Sequence, residues 1–241
     1  VYPQQVFYFI MIIEIPEILP YNISPLFQFA FEDYHRHLVL QTNYRNLNKL
    51  EKSADSVMQL LNRRTGFDVQ AYFNPWIGHE IALAQSSKPG DTTTRTYVII
   101  HATDIKTAAD SIGRLADQLN SKSKKKKYEE EFEDYQIRNL DIPGLFPILF
   151  GPLFKGLDCP YYFTIRDYVV FANTPGALKY LIANFYLQKT LAVNPNFRSF
   201  SNGISDKSNI FFYCNTRKSL NTVADFLSSD LAEKINNHQS T

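Results

Sequence analysis

Gly78-His79-Glu80 comes nearest to a chemical motif in this sequence. A zinc-binding His-Glu-x-x-His helix needs a second imidazole one turn on, so that both ligands share a face. Position 83 is Leu83, so the pattern fails and the stretch reads as a turn entering a strand. His35 and His37 stand two apart, and on a strand they would point to one side. Two imidazoles fall short of the three or four ligands that zinc takes. His101 could join them only through the tertiary fold. This histidine trio anchors one alternative, a hydrolase with an unrecognised site.

Other chemistry finds less footing. The sequence holds no Gly-x-Ser-x-Gly elbow, phosphate-cradling Gly-rich loop or dinucleotide fingerprint. Carboxylate pairs such as Glu32-Asp33 lie in polar turns or charge runs, where nothing desolvates them for general-acid work. Asn22-Ile23-Ser24 fits a glycosylation sequon, which carries meaning only in a secretory setting. Cys159 and Cys214 fit no metal spacing and read as two buried thiols, with one disulfide as the alternative. The reading therefore leans away from an enzyme and names no catalytic residue, metal or cofactor.

The elements that would position any site follow from composition and periodicity. The chain has 241 residues, enough for a real apolar core. Aromatic residues make up 15%, which favours substantial sheet. The formal net charge is +1, so no overall field steers nucleic acid toward the chain. The most apolar stretch, Val6 to Ile13, is far shorter than the ~20 residues of a membrane span, and it has neither the basic leader nor the cleavage site of a signal peptide. The first residue is Val1, which suggests a piece of a longer protein.

Val6 to Ile15 reads as a buried strand closed by Pro16. Phe27, Phe29 and Phe31 alternate with polar or small residues, as in a half-buried strand, with 37–41 as its hairpin partner. Apolar spacing predicts an amphipathic helix over 46–63, stopped by Gly66, and a short one over 68–76. A strand, a short polar corner and a helix then recur. Tyr97 to Ala102 leads through Thr103-Asp104 into a helix, Tyr168 to Ala172 through Asn173-Thr174-Pro175, and Ile210 to Cys214 through Asn215-Thr216. Asp, Asn and Thr at such corners accept the free amides of a first helical turn, and Pro suits the first helical position. Ordinary capping explains the recurrence, and duplication of a strand–helix unit is the sharper alternative. Glu80 to Gln85 and Tyr135 to Leu140 add strands. Tyr161 to Arg166 and Tyr168 to Ala172 form a tight hairpin. The predicted fold is α+β, with a mixed or mostly antiparallel sheet and amphipathic helices packed on one face. It forms one region over 1–241, with a candidate subdivision near the charged segment 121–134. That segment, a basic run then an acidic one, reads as a solvated surface loop whose halves cancel within a Debye length.

Ile142 to Leu157 is strongly apolar but broken by Pro and Gly, so it cannot form a long helix or a central strand. It either plugs one end of the sheet or offers an apolar surface. In the second case Leu145, Phe146, Ile148, Leu149, Phe150, Leu153 and Phe154 would form an interaction site. Trp76, the sole tryptophan, reads first as a core anchor.

The run Phe73-Asn74-Pro75-Trp76-Ile77-Gly78-His79-Glu80-Ile81-Ala82-Leu83, with its Trp-x-Gly-x-Glu turn, resembles a bacterial domain-of-unknown-function family, number three-three-five-two. LFGPLF at 149–154, YYFTIRDYVVFANTPGAL at 161–178, KTLA at 189–192 and SNIFFYCN at 208–215 agree with it. The resemblance covers about residues 60 to 220. It implies structural roles for Trp76, Gly78 and Glu80, and an extracytoplasmic position in an anchored envelope protein. No functional residues carry over from it. The expected function is a non-catalytic extracytoplasmic module that binds protein or lipid at the cell envelope. A scaffold domain of a larger envelope protein is the alternative beside the hydrolase.

Overall fold

The computed structural model describes residues 14–34, 65–86, 94–122, 128–140, 142–154, 157–204 and 208–215, together with 36, 38, 39, 59, 62 and 63. The strands, most of them rich in aromatic or β-branched residues, are β1 (Leu26–Ala30), β2 (Ile77–Ser86), β3 (Arg95–Ala102), β4 (Glu129–Phe132), β5 (Tyr135–Asn139), β6 (Tyr161–Ile165), β7 (Tyr168–Ala172) and β8 (Ile210–Tyr213). They make one eight-stranded sheet in the order β4-β5-β6-β7-β3-β2-β1-β8. Each of these pairings is antiparallel. The fold is α+β, and strands from both sides of segment 121–134 share the sheet.

The helices do not keep to one face. Val98 and Ile100 of β3 point into a core with α2 (Val69–Phe73), α3 (Ile105–Lys122) and α4 (Leu145–Phe150). Tyr97 and Ile99 point the other way, into a core with α1 (Ile15–Ile18), α5 (Pro175–Tyr186) and α6 (Pro195–Ser201). Every residue of β7 is buried, because a central strand covered on both sides must be apolar throughout.

Local chemistry sets the helix starts. Asp104 Oδ1 accepts the Thr107 amide at 2.8 Å and opens α3. Thr174 Oγ1 accepts the Ala177 amide at 3.1 Å, with Pro175 in the first turn of α5. Asn194 Oδ1 accepts the amides of Asn196 and Phe197 and opens α6. These are caps of the usual kind. Gly66 has φ +74 and its amide donates to Asn62 O at 2.7 Å, so the helix ending there stops where the sequence predicts. Gln59, Asn62 and Arg63 are helical, and the rest of the predicted 46–63 helix lies outside the described residues. So do residues 6–13 of the first predicted strand, whose last residue, Ile15, begins α1.

The predicted partner strand 37–41 is corrected: Leu38 and Val39 are helical. Asp33 accepts the Arg36 amide at 3.3 Å, so it starts a helical turn instead of a hairpin. β1 pairs instead with β2 and β8, which are distant in sequence. The acidic half of segment 121–134 is likewise a strand. Glu129 and Glu131 of β4 face outward, while Lys179 Nζ meets Glu130 at 2.5 Å, so charge marks this sheet edge.

Candidate functional site

β2 contains an irregularity at the residues that looked like a motif. Ile77 pairs with Ala102 and Ile81 with Ile100, so Gly78, His79 and Glu80 stand opposite the single residue His101. Bulges of this kind re-aim side chains and cluster near functional sites. The bulge is fixed from both sides. Trp76 is fully buried, its ring lies 5.5 Å from Phe73, and its indole Nε1 donates to Tyr72 O at 2.6 Å. The Trp76 carbonyl accepts the Thr103 amide at 2.8 Å. Across β1, the His79 carbonyl accepts the Phe31 amide at 2.7 Å.

Gly78 lies against the imidazole of His101. A Cβ there would overlap His101 Nδ1 and stand 3.1 Å from the His101 carbonyl oxygen. Gly78→Ala is therefore expected to displace the ring or the strand, at a cost of about 2 kcal/mol. Urea unfolding would measure it, and an unchanged midpoint would contradict the close approach.

Beyond the bulge, alternation places Glu80 on the face of Ala82 and Ala84, where burial leaves it 2% exposed. Gln28 of β1, His101 of β3 and Tyr168 of β7 line the same face by the same alternation. Four adjacent strands thus bring polar groups together inside an otherwise apolar layer. Gln28 Nε2 donates to Glu80 Oε1, and the Tyr168 hydroxyl to Glu80 Oε2 at 2.8 Å. The same hydroxyl lies 3.4 Å from Oε2 of Glu14, the residue before α1.

Burial raises the Glu80 carboxyl from 4.5 to about 7, against the pull of its two hydrogen bonds. Burial, then the Glu80 charge, pushes the Tyr168 phenol well above its usual range. The His79 and His101 rings lie in tilted contact, with centroids 4.0 Å apart. Burial lowers both, and His79 helps bring His101 down to about 4, so both imidazoles are neutral near pH 7. A carboxyl titrating near neutrality could exchange protons, but Glu80 is buried, and its partners are the protein's own side chains.

Of the sequence-nominated trio, His101 lies beside His79, while His35 and His37 fall outside the described residues. Among the described residues no group of three or more His, Cys, Asp or Glu could hold a metal ion. Cys159 and Cys214 are free thiols; Cys159 is buried, which pushes it up to about 12, and Cys214 is half-buried. Residue reasoning alone missed Glu80 as an ionisable group. Its phase with Ala82 and Ala84 is the signal that would have placed it indoors.

The Trp-x-Gly-x-Glu turn is thus a built bulge in which each of the three residues has a distinct task. One family model matches residues 38–241, most of the chain. The chain belongs to that family, protein of unknown function (DUF3352). Neither the curated proteins nor the solved structures contain a significant match to it.

Two apolar regions of this DUF3352 member differ sharply in exposure. Leu145, Phe146, Leu149 and Phe154 are buried, and Phe150 and Leu153 pack partly buried against the same core. Gly144 at φ +78 and Gly151 at φ +93 bound α4, and Pro152–Phe154 forms a 3-10 turn. This fits what the broken Pro and Gly pattern allows. Where its side chains are described, the segment packs on the core, in keeping with the plug alternative. Ile148 is helical, and its side chain lies outside what the structure describes.

Strand β8, at the end of the sheet among the described residues, is the opposite case. Ile210 is 66% and Phe212 44% exposed, and the Phe212 ring lies tilted against Phe27, centroids 4.6 Å apart. Phe211 and Tyr213 point to the other face and pack on Phe197 and Phe200 of α6. The Ala30 amide donates to Asn209 O at 2.9 Å in the register Phe29↔Ile210. The backbone groups of Ile210 and Phe212 therefore point away from β1. Ser208 Oγ bonds both the amide and carbonyl of Ile210. On the side away from β1, Phe212 has no strand partner among the described residues.

Proposed function

We propose that the domain is a non-catalytic interaction module that receives an extended polypeptide segment along β8. The supporting observation is the coincidence on one short edge strand of outward-facing backbone groups and two exposed apolar side chains, Ile210 and Phe212. An added strand would take its affinity from the backbone of Phe212, and from Ile210 once Ser208 is displaced. Its specificity would come from alternate side chains packing beside Phe27 and Phe212. Unprotected apolar edges are otherwise an aggregation hazard that proteins avoid. The buried network contributes indirectly: Gln28 ties β1, the strand that carries β8, to Glu80 of β2. The proposal places this module outside the cytoplasm in a bacterial envelope, within a longer anchored chain. That placement rests on the family resemblance alone.

The test uses synthetic peptides of about six to eight residues with alternating apolar and polar positions. Fluorescence anisotropy should show saturable binding, weakened about tenfold or more by Phe212→Lys. Absence of binding, or binding indifferent to Phe212→Lys and Ile210→Lys, would overturn the proposal. Vesicles of phosphatidylglycerol serve as a second arm. Vesicle binding abolished by the same substitutions, without peptide binding, would replace a polypeptide partner with a lipid surface.

A further inference from the structure

The Tyr168 hydroxyl stands between two carboxyl groups but has one proton to donate. It is 2.8 Å from Glu80 Oε2 and 3.4 Å from Glu14 Oε2. When Glu80 is ionised, the phenol proton points to Glu80. Glu14 then has no donor from Tyr168 and faces a second negative charge. When Glu80 carries a proton, Glu80 donates to the phenol oxygen. Tyr168 is then free to turn its own proton to Glu14.

We propose that Glu80, Tyr168 and Glu14 form a proton-controlled latch that fastens the start of α1 to the sheet when Glu80 is protonated and loosens it when Glu80 ionises. The raised affinity of Glu80 for its proton puts the change near neutral pH.

The surroundings leave Glu80 as the group that switches. From β2 and β3, His79 and His101 are already neutral near pH 7. From β1 comes Gln28, which does not ionise. At the β6–β7 turn, Arg166 pairs with Glu17 of α1 at 2.6 Å, and the Asp167 charge acts on His101. The Arg166–Glu17 pair, on the surface, links α1 to that turn independently of Glu80. The latch therefore governs the Glu14 end of α1, whose apolar residues Ile15 and Ile18 stay in the core.

The experiment is amide hydrogen exchange at Glu17 and Leu19, whose amides donate to the carbonyls of Glu14 and Ile15. Rates are corrected for the intrinsic pH dependence of exchange. Protection in the native protein should fall about tenfold between about pH 6 and about pH 8 as the latched population declines. Glu80→Gln keeps a neutral donor at this position and should hold protection constant over that range. Tyr168→Phe removes the relay and should give low protection throughout. Circular dichroism of each variant establishes that it folds. An unchanged pH profile in Glu80→Gln would overturn the proposal. So would the native profile in Tyr168→Phe, which decides the matter should Glu80→Gln fail to fold.

Discussion

Trp76→Ala is expected to lower the unfolding free energy by about 4 kcal/mol, at the upper end for a single core truncation. The indole is wholly buried against Phe73, which in turn lies 6.4 Å from Phe171 of β7. Its removal leaves a cavity between α2 and the sheet that rigid neighbours cannot close. It also strips the Tyr72 carbonyl of its donor. Trp76→Phe refills most of the volume without restoring that hydrogen bond, so a loss of roughly 1–2 kcal/mol is expected. Chemical denaturation of both variants gives the comparison. Equal small losses would mean that Trp76 does not anchor the bulge.

Glu80→Gln is expected to change how stability depends on pH. In the unfolded chain this carboxyl ionises near 4.5, whereas the folded protein holds its proton to about 7. Between those values the folded state binds more protons, so its stability falls as pH rises and levels off above about 7. The contribution lost is roughly 3 kcal/mol. Gln cannot ionise, so the variant should match the native protein below about pH 4.5 and exceed it by up to that amount at pH 8. Parallel pH–stability curves for the two proteins would contradict this. Glu80→Ala should behave differently, because it leaves the buried amide of Gln28 without its acceptor and opens a cavity beside Tyr168. It is expected to destabilise at every pH by about 2 kcal/mol.

Several features that depend on neighbours in sequence were readable in advance, although the helical turn near Asp33 was not. Asp104 and Thr174 cap the helices their corners promised, and Gly66 ends a helix. Val169, Val170 and Phe171 lie in a strand as their side chains require. The one-face arrangement failed for a reason visible in those same strands. TYVIIHA and YVVFA are continuous apolar runs, and a strand covered on one side only would alternate. The site was harder to see because its parts are remote. Gln28 is 52 residues from Glu80 and Tyr168 is 88 away, so no spacing rule joins them. Gly78-His79-Glu80 looked like a turn because Gly usually marks one. In the structure its missing Cβ makes room for His101 inside a strand. The apolar segment at 142–157 drew attention by composition, yet composition cannot distinguish a plug from a patch. Ile210 and Phe212, which are exposed, are ordinary members of a short strand.

The claim that the Trp-x-Gly-x-Glu bulge sets a carboxyl inside the sheet is tested most directly on that carboxyl. Carbon-13 labelling of the glutamate side chains, with Glu80→Gln to assign the resonance, follows Glu80 through a pH titration. A midpoint near 7 is predicted, with the Tyr168 ring signals moving in step. A midpoint near 4.5, with Tyr168 unaffected, would place Glu80 in water and contradict the account.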